Sequence, residues 1–489
     1  MKLRIKKIKL LAGRPVCMIH ELTAKKLSLH VGHRALISKN SKKIISIVDT
    51  VSKIITKNEI AVSEDIAESL DLKNKDFVDI KIIKSPYSIT LIKKKLNGGK
   101  LKKQEINEII QNLANNSLTE TEIAFFVSAV YTRGMTLEET KNLTEAMVNA
   151  GNRLKFNGKI YDKHSIGGVA GNRTTPIVVS ICAAAGLKMP KTSSRAITSA
   201  SGTADAVETL AKAEIPIRQI KKIVNKTNAC FVWGGALGLA PVDDKIIKIE
   251  KIVNIDSHSQ LLASILSKKI SVGSKYVLID IPYGKSAKVS KKEAIKLKGA
   301  FLILANKFDL KISVVLTDGS EPIGNGIGPV LEMKDVIKVL KKDNPPRDLE
   351  KKALFLAGKL LELAGEKQGY KKAAEILNSG RAFKKFIDIV RAQKGDINKL
   401  SKLKPDFFHN IITKREVKIK HIDNKLINTL ARIAGCPEDK AAGIYLHKKK
   451  GQLSNKNETI LTIYTVSKEK LNQATKFYNE NKGKIVEFY

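Results

Sequence analysis

Two segments of the chain combine backbone flexibility with side chains that bind anions. The first, residues 163–176 (KHSIGGVAGNRTTP), holds three glycines, which permit tight turns and close approach of a ligand to the backbone. Pro176 suits the first turn of a helix that we expect to begin near Thr174. A helix N-terminus attracts phosphate, so we call this segment the first anion loop. Further donors there are Lys163, Ser165, Arg173 and Thr175.

The second anion loop, residues 191–205 (KTSSRAITSASGTAD), carries seven hydroxyl side chains around Arg195. Thr203 is predicted to be the N-cap of a helix, with Asp205 placed in its first turn. Neither loop ends in the Gly-Lys-Ser/Thr of a Walker A motif. A structural turn and a polar surface loop are the alternative interpretations. Two anion loops on one body favour a substrate site that holds two phosphates.

A third segment, residues 254–269 (NIDSHSQLLASILSKK), is predicted to be a helix that Asp256 caps. Ser264 and Lys268 are four residues apart and therefore share one face of that helix. Taken alone, the pattern is more typical of an amphipathic helix with a solvated polar face than of a binding site.

The elements that must position these segments differ along the chain. Residues 1 to about 84 contain β-branched runs with period-two alternation, at 44–48 and 77–83, which predict strands. Gly13 and Gly32 are predicted turn residues. Ser85-Pro86 is the expected joint to the next part, because a residue before proline is disfavoured in a helix.

Residues from about 100 to 150 follow a helical pattern. Residues 117–120 (SLTE) and 136–139 (TLEE) both fit capping boxes, and Gly134 stands where the C-cap of the intervening helix is expected. From about 160 onward strands alternate with helices, and the apolar runs 301–304 and 312–316 are predicted buried strands. This alternation predicts α/β layers, followed beyond about 410 by an α+β lobe with a strand near 460–466.

Composition restricts the functional class. The net charge is +40, from 88 Lys and Arg against 48 Asp and Glu, but the lysines are spread along the chain without interleaved aromatic residues. A solvated lysine-rich surface explains this charge better than nucleic-acid binding does. The four cysteines form no CxxC pair and are predicted to be buried free thiols, with no metal site or cofactor indicated. No apolar stretch is long enough to span a membrane.

Several motifs, in matching order over about 95–489, resemble the thymidine and pyrimidine-nucleoside phosphorylase family. They are KHSIGG at 163–168, SSRAIT at 193–198, Gly202-Thr203, ASILSKK at 263–269, DGSEPIGNGIGP at 318–329 and AAGI at 441–444. The resemblance implies the nucleoside phosphorylase and anthranilate phosphoribosyltransferase type of α/β fold. It also implies an extra N-terminal β-rich domain. The expected domains are 1–84 (β-rich, assembly), 85–160 (small α domain, completed by 240–272), 161–239 and 273–409 (α/β), and 410–489 (α+β lobe).

Within this family the chain resembles the archaeal branch that acts on nucleoside 5′-monophosphates. That branch carries an N-terminal unit of similar size and the SSRAIT sequence. Nucleoside enzymes hold the pyrimidine with an arginine where this chain has Ile249. The resemblance implies cleavage of AMP, with CMP and UMP also possible, by inorganic phosphate to free base and ribose 1,5-bisphosphate. The implied protein is cytoplasmic and a homodimer or larger homo-oligomer.

The resemblance also assigns roles to residues of this sequence. Asp256 is the implied proton donor and His164 the alternative. Phosphate-binding positions are Lys163, Ser165, Ser193 and Thr203. Positions implied to contact the nucleotide are Gly168, Ser194, Arg195, Ala196, Ile197, Thr198, Ser199, Thr203, Ser264 and Lys288. Thr203 falls in both sets, which the sequence does not separate. An acid role requires Asp256 to be protonated, and burial would raise its pKa.

Three other functions are weighed against this one. A pyrimidine-nucleoside phosphorylase would share the fold, but Ile249 and the Ser194-Arg195 sequence argue against it. A phosphoribosyltransferase of the anthranilate type would use a pyrophosphate leaving group, usually with magnesium, and no acidic pair is placed for that metal. A nucleic-acid-binding protein is suggested by charge alone.

Overall fold

The computed structural model describes residues 1–12, 14–196, 199–253 and 255–489. The chain divides into two compact units, one formed by residues 1–150 and 241–263, the other by 151–240 and 264–489. The turn predicted at Gly13 lies outside the described residues. The fold is mixed α/β with a β-rich N-terminal region, as predicted.

The N-terminal region is a closed six-stranded barrel. Leu3 and Ile5 alternate with exposed basic residues and point into its core, which is the period-two pattern of a strand with one buried face. The strand order is β1-β5-β2-β4-β3-β6, and the strands predicted at 44–48 and 77–83 are confirmed. The elements are β1 Lys2–Lys7, β2 Val16–His20, α1 Glu21–Lys26, β3 Arg34–Lys39, β4 Lys42–Val51, β5 Glu59–Val62, α2 Glu64–Ser69 and β6 Phe77–Ile83.

Four helices follow the barrel: α3 Ser88–Leu96, α4 Lys103–Ala114, α5 Glu120–Arg133 and α6 Leu137–Asn149. The capping box at Thr136 and Glu139 is confirmed, and Gly134 is the C-cap of α5 with φ 64°. The box predicted at 117–120 is wrong by two residues, because the reciprocal hydrogen bonds join Thr119 and Glu122. Both spacings fit the pattern, and only the fold selects one.

The next elements build parallel sheets from βα units. The strands lie in the orders β11-β10-β7 and β8-β9, all parallel, and a parallel bridge between Ile160 and Lys188 connects the two groups. Their carboxyl ends therefore lie along one edge. The elements are β7 Tyr161–Ser165, α7 Thr174–Ala184, β8 Met189–Ser193, α8 Thr203–Val207, α9 Ile217–Thr227, β9 Ala229–Trp233, α10 Pro241–Val253, α11 His258–Val272, β10 Tyr276–Tyr283, α12 Lys291–Lys307 and β11 Lys311–Asp318.

One predicted strand is wrong. Residues 301–304 lie in α12, where Phe301 and Leu304 are buried while Leu302 and Ile303 are 42% and 48% exposed. A four-residue apolar run does not distinguish a buried strand from part of a helix. The run 312–316 is confirmed as a strand, part of β11. The predicted burial is wrong, because β11 lies at the edge of its sheet and Val314 alone of these five residues is buried.

The remaining chain completes the α/β part and forms a C-terminal lobe. The lobe's main sheet has the order β12-β15-β17-β13, and the strand predicted near 460–466 is β17. The elements are β12 Gly326–Ile327, α13 Pro329–Lys341, α14 Arg347–Leu363, α15 Gly369–Asn378, α16 Arg381–Ala392, α17 Lys399–Lys402, β13 Phe407–Ile412, β14 Val417–Ile422, α18 Asn424–Ile433, β15 Gly443–Leu446, β16 Leu453–Ser454, β17 Thr459–Thr465, α19 Lys468–Ile485 and β18 Val486–Phe488.

Two composition-based predictions can be compared with the structure. All four cysteines are buried and free, as predicted. Among the described residues, no helix combines the length and apolar character that a membrane span needs.

Candidate active site

The first anion loop begins at the carboxyl end of β7. Lys163 is 1% exposed, and its Nζ donates to the hydroxyl groups of Thr174 at 3.0 Å and Thr175 at 3.3 Å. These two residues open α7, which begins where the sequence predicted. Burial lowers the pKa of Lys163 to about 8. An ammonium group, two hydroxyl groups and a helix N-terminus thus meet at one point, an arrangement suited to an anion.

Glycines let this loop pack closely on a second predicted site residue. Gly167 and Gly168 have φ values of 90° and 86°, which favour glycine. A Cβ on Gly168 would lie 2.6 Å from both the Cβ and the backbone nitrogen of Lys288. The structure therefore brings together Gly168 and Lys288, both of which the family resemblance implied to contact the nucleotide. Ser165 lies on the same loop, where its hydroxyl accepts a hydrogen bond from Asn172 at 3.5 Å.

A buried ion cluster lies directly beside this loop. Asp162 is 1% exposed, and its carboxylate contacts Lys269 Nζ at 2.7 Å and Lys191 Nζ at 3.4 Å. Burial alone would raise the pKa of Asp162, but the two lysine charges outweigh it and lower the pKa. Burial lowers the pKa of Lys269 to about 7 despite the carboxylate. Sequence reasoning did not single out these three residues, although Lys191 and Lys269 lie within the segments it discussed and Asp162 directly precedes the first anion loop.

His164 follows Lys163 on β7 and is partly buried. Burial lowers the pKa of its imidazole well below the usual range, and the charges of Lys269, Lys191 and Lys163 act in the same direction. A neutral imidazole can donate one N–H and accept at its other nitrogen. The structure therefore supplies a neutral His164 at neutral pH, not an imidazolium.

Arg173 was predicted to be a donor toward an anion, but its guanidinium is already engaged. It donates to Glu332 at 2.7 Å, to the Thr203 hydroxyl at 2.8 Å and to the backbone carbonyl of Ser201 at 2.8 Å. Arg173 thus joins the first anion loop to the second. Glu332, on α13, is buried and had no sequence signal, because its partner lies far away in the chain.

The cap predicted at Thr203 is wrong by one residue. Gly202 is the N-cap of α8, and Thr203 is the first helical residue. Asp205 accepts hydrogen bonds from the backbone N–H groups of Gly202 at 2.8 Å and Ala196 at 2.7 Å. Because glycine is also favoured at an N-cap, the sequence did not separate the two positions. Asp205 stabilises the fold of the second anion loop.

In the second anion loop the arginine is paired with carboxylates, whereas the hydroxyl groups differ in their exposure and hydrogen bonds. Arg195 lies over the Trp233 ring at 4.3 Å and donates to Glu208 at 2.7 Å and Glu214 at 2.6 Å. Ser193 Oγ is buried and has no hydrogen-bond partner among the described residues. Ser194 is exposed, and the Ser199 hydroxyl donates to the Ser201 carbonyl. The predicted positions Ile197 and Thr198 lie outside the described residues.

The third predicted segment is split between the two units. Helix α11 begins at His258, and the Ser257 carbonyl accepts from Leu261 N–H, so the predicted cap at Asp256 is wrong by one residue. Asp256 belongs to the first unit and is exposed, so the burial expected of it is not found. Ser264, in the second unit, is half-buried. Ile249 packs in the apolar core of the helical part, while Asn254 lies outside the described residues.

Within the second unit, then, the described phosphate and nucleotide positions other than Ser264, which lies in α11, are on parallel strands or on the segments that follow them. Strand β7 carries the first anion loop, β8 the second, and β10 leads to Lys288. The residues that contact these predicted positions or lie beside them, and that sequence reasoning did not single out, are Thr174, Asp162, Lys191, Lys269 and Glu332. No group of three or more His, Cys, Asp or Glu residues suited to a metal ion occurs in the described ranges.

Family models divide the chain in the same order as these structural parts. Residues 89–151 match the helical bundle domain of a glycosyl transferase family, and residues 157–383 match its a/b domain. Residues 418–483 match the C-terminal domain of pyrimidine nucleoside phosphorylases. The solved structure of anthranilate phosphoribosyltransferase from Thermus thermophilus is similar with a TM-score of 0.51 and 19% identity. The similarity covers 62% of this chain and 99% of that one, and it shows the fold alone.

Fold and family models together define a glycosyltransferase enzyme with a helical bundle and an α/β domain. Full-length relatives narrow this class. AMP phosphorylase of Thermococcus sibiricus is 42% identical over 97% of this chain and 95% of its own length. The enzymes of the same name from Methanococcoides burtonii (39%, covering 100% and 97%) and Pyrococcus furiosus (43%, covering 87% and 86%) are also similar. The chain belongs to the AMP phosphorylase family.

Proposed function

We propose that this chain cleaves AMP with inorganic phosphate to give adenine and α-D-ribose 1,5-bisphosphate. The observation that carries the proposal is the Arg173 bridge, because it joins the two segments that the sequence predicted to bind phosphate. The reaction requires two phosphates, the 5′-phosphate of the nucleotide and the attacking phosphate. The full-length AMP phosphorylase relatives support the same substrate.

We assign the residues as follows. The attacking phosphate is held by Lys163, Ser165, Ser193 and Thr203. The nucleotide contacts Gly168, Ser264, Lys288, Thr203 and residues 194–199 of the second anion loop. Support comes from the buried Lys163 ammonium at the start of α7 and from the unpartnered Ser193 hydroxyl. Arg195 must exchange Glu208 and Glu214 for the nucleotide phosphate.

In this proposal a phosphate oxygen attacks C1′ while the bond from C1′ to the base nitrogen breaks, and that electron pair moves to the base. The charges of Lys163, Arg195 and Lys288 offset the repulsion between the two phosphates. The departing base takes a proton, and Asp256 is its assigned donor. Asp256 is exposed, so its acid role requires a raised pKa when substrate is bound. In the alternative, neutral His164 donates an N–H hydrogen bond to the base, and the proton itself comes from water.

Product analysis tests the proposal. The enzyme is incubated with phosphate and either AMP, CMP, UMP, uridine or thymidine, without added metal. We expect adenine and ribose 1,5-bisphosphate from AMP, with CMP and UMP as further substrates. Cleavage of uridine or thymidine but not of AMP would overturn the proposal and indicate a pyrimidine-nucleoside phosphorylase.

Two variants test the assignment of the proton donor. Removing a general acid lowers the rate by about 10² to 10⁴, so Asp256→Asn is expected to fall in that range for AMP. His164→Asn, in contrast, is expected to lose less, because a hydrogen-bond donor is retained. Near-normal turnover by Asp256→Asn together with a large loss in His164→Asn would reverse the assignment.

The wider organisation is part of the same proposal. We infer a cytoplasmic homodimer or larger homo-oligomer in which residues 1–84 have an assembly role. The helical part comprises 85–160 completed by 240–272, the α/β part 161–239 and 273–409, and the lobe 410–489. Support comes from the closed barrel and from the limits of the family models. Light scattering of the full chain and of a chain that begins at Ser85 would test the assembly role.

A further inference from the structure

Two asparagines of the C-terminal lobe contact four loops of the second unit, including both anion loops. They are Asn424 and Asn428, which lie four residues apart on one face of α18 and are 0% and 7% exposed. Asn424 is the first residue of that helix, whose N-cap is Asp423. The lobe thus presents two side-chain amides, each able to donate and accept, to the loops of the α/β part.

Asn424 joins three loops at once. Its Oδ1 accepts from the backbone N–H of Ala170, in the first anion loop, at 2.9 Å. Its Nδ2 donates to the backbone carbonyl of Gly319 at 2.9 Å and to the hydroxyl of Ser286 at 3.0 Å. Gly319 opens the glycine-rich segment 318–329, and Ser286 lies two residues before Lys288. All three contacts are buried, so each amide atom has a defined partner.

Asn428 holds the remaining loop. Its Oδ1 accepts from the backbone N–H of Ala200, in the second anion loop, at 2.9 Å. Its Nδ2 donates to the Asn424 carbonyl at 2.9 Å, which couples the two asparagines. Neither side chain lies among the anion-binding residues assigned above. Apart from the hydrogen bond to the Ser286 hydroxyl, both contact the loops through backbone atoms.

We propose that Asn424 and Asn428 are positioning residues that set the distance between the two anion loops. Backbone N–H groups that face an anion must hold their place before it arrives, and loops are the least constrained part of a βα fold. One rigid helix face that bonds to four loops supplies this constraint. The inference rests on the proposed function, since it concerns the two phosphates of that reaction.

The test compares kinetic constants with stability in three variants. Asn428→Ala frees the Ala200 N–H, and Asn424→Asp keeps an acceptor for Ala170 but cannot donate to Gly319. The matched control is Ile427→Val, a core change in the same helix that removes no hydrogen bond, although Ile427 belongs to the same apolar cluster as Ala170 and Ala200. We expect Asn428→Ala to raise KM for AMP by roughly tenfold and Asn424→Asp to raise KM for phosphate similarly. Ile427→Val should lower Tm and leave both constants within about twofold.

Amide hydrogen exchange, which does not depend on turnover, separates this inference from the proposed function. We expect faster exchange at 168–171 and 319–321 in Asn424→Asp, and at 200–203 in Asn428→Ala, relative to Ile427→Val. A further outcome is that the wild type fails to cleave AMP while the two asparagine variants still show faster loop exchange, and weaker protection of the loops by added phosphate, than the wild type. In that case the proposed reaction is wrong and the positioning role stands. Variants that lower Tm as Ile427→Val does, with unchanged KM values and loop exchange, would overturn the inference.

Discussion

The guanidinium of Arg173 donates a hydrogen bond to the Thr203 hydroxyl at 2.8 Å, and so connects the two anion loops through one side chain. The same group pairs with Glu332, which is 2% exposed, at 2.6 Å. Burial raises the pKa of Glu332 even though Arg173 opposes the shift. The buried pair anchors the bridge, and the bridge determines where Thr203 lies.

Removing Arg173 should affect both stability and binding. Arg173→Met leaves the Glu332 carboxylate buried without its partner, so we expect unfolding to become easier by about 3–5 kcal/mol. We also expect KM for AMP to rise roughly tenfold, because Thr203 and Ser201 lose their donor. Chemical denaturation and initial rates measure the two effects.

A double variant separates these effects. Arg173→Met/Glu332→Met should recover most of the stability but not KM, while the exposed-site control Arg218→Met should change neither. Recovery of KM in the double variant would show that Arg173 matters for folding alone.

Arg195 should distinguish the two phosphates. In the structure it stacks on Trp233 and is paired with Glu208 and Glu214, so substrate must displace carboxylates. We expect Arg195→Ala to raise KM for AMP by roughly 10- to 100-fold, the value of a charged hydrogen bond, and to change KM for phosphate little. Arg195→Lys should recover only part of the loss, because an ammonium group lacks the planar fork. A larger effect on KM for phosphate would assign this loop to the other anion.

Loss of the Lys163 charge should make kcat/KM for phosphate fall at high pH, which would appear as a basic limb in the pH profile. Its pKa is lowered to about 8 by burial, so its positive charge is present below that pH and is lost above it. Inorganic phosphate only becomes more negative as pH rises, so kcat/KM for phosphate should fall above about pH 8 because of the lysine. Lys163→Arg keeps its charge throughout and should lack this limb, whatever its absolute rate. A limb that persists in Lys163→Arg would belong to another group.

The lowered pKa of Lys163 also predicts the direction in which the stability of the protein changes with pH. The folded pKa of Lys163 lies below its ordinary value of 10.5, so burial of the charged form opposes folding at all pH values below about 8. This opposition weakens as pH rises from about 8 toward 10.5, because the folded protein no longer binds the proton that the unfolded chain keeps. Relative to Lys163→Met, the wild type should therefore gain stability across that window in urea titrations.

Removing the carboxylate of Asp162 from its ion cluster should destabilise the folded protein. Asp162→Asn leaves Lys191 and Lys269 buried without their carboxylate, so we expect a loss of about 3–5 kcal/mol in unfolding free energy. Asp162→Asn/Lys269→Met should recover part of it. The exposed pair Lys275–Asp309 is a matched control, since solvent screens it and Asp309→Asn should change the unfolding free energy little. An equally small effect for Asp162→Asn would contradict the buried ion pair.

Sequence reasoning succeeded where the signal is local. The helix that begins at Thr174, the capping box at Thr136 and the strand at 77–83 depend on neighbouring residues, and the structure confirms each. It erred where a short pattern has two solutions of similar quality. Thr203 rather than Gly202 as a cap is one example, and the helical run 301–304 is another.

The sequence by itself determined the succession of β-rich, helical and α/β parts, the family motifs, and the two candidate anion loops with Lys163 and Arg195. Only the tertiary structure decided what those loops rest on. Arg173 meets Glu332 across 159 residues of sequence, Asp162 meets Lys269 across 107, and Ala170 meets Asn424 across 254. Such pairs produce no periodic pattern in the sequence. Strand order and the packing of the lobe bring these buried charges and amides into contact, and local spacing does not.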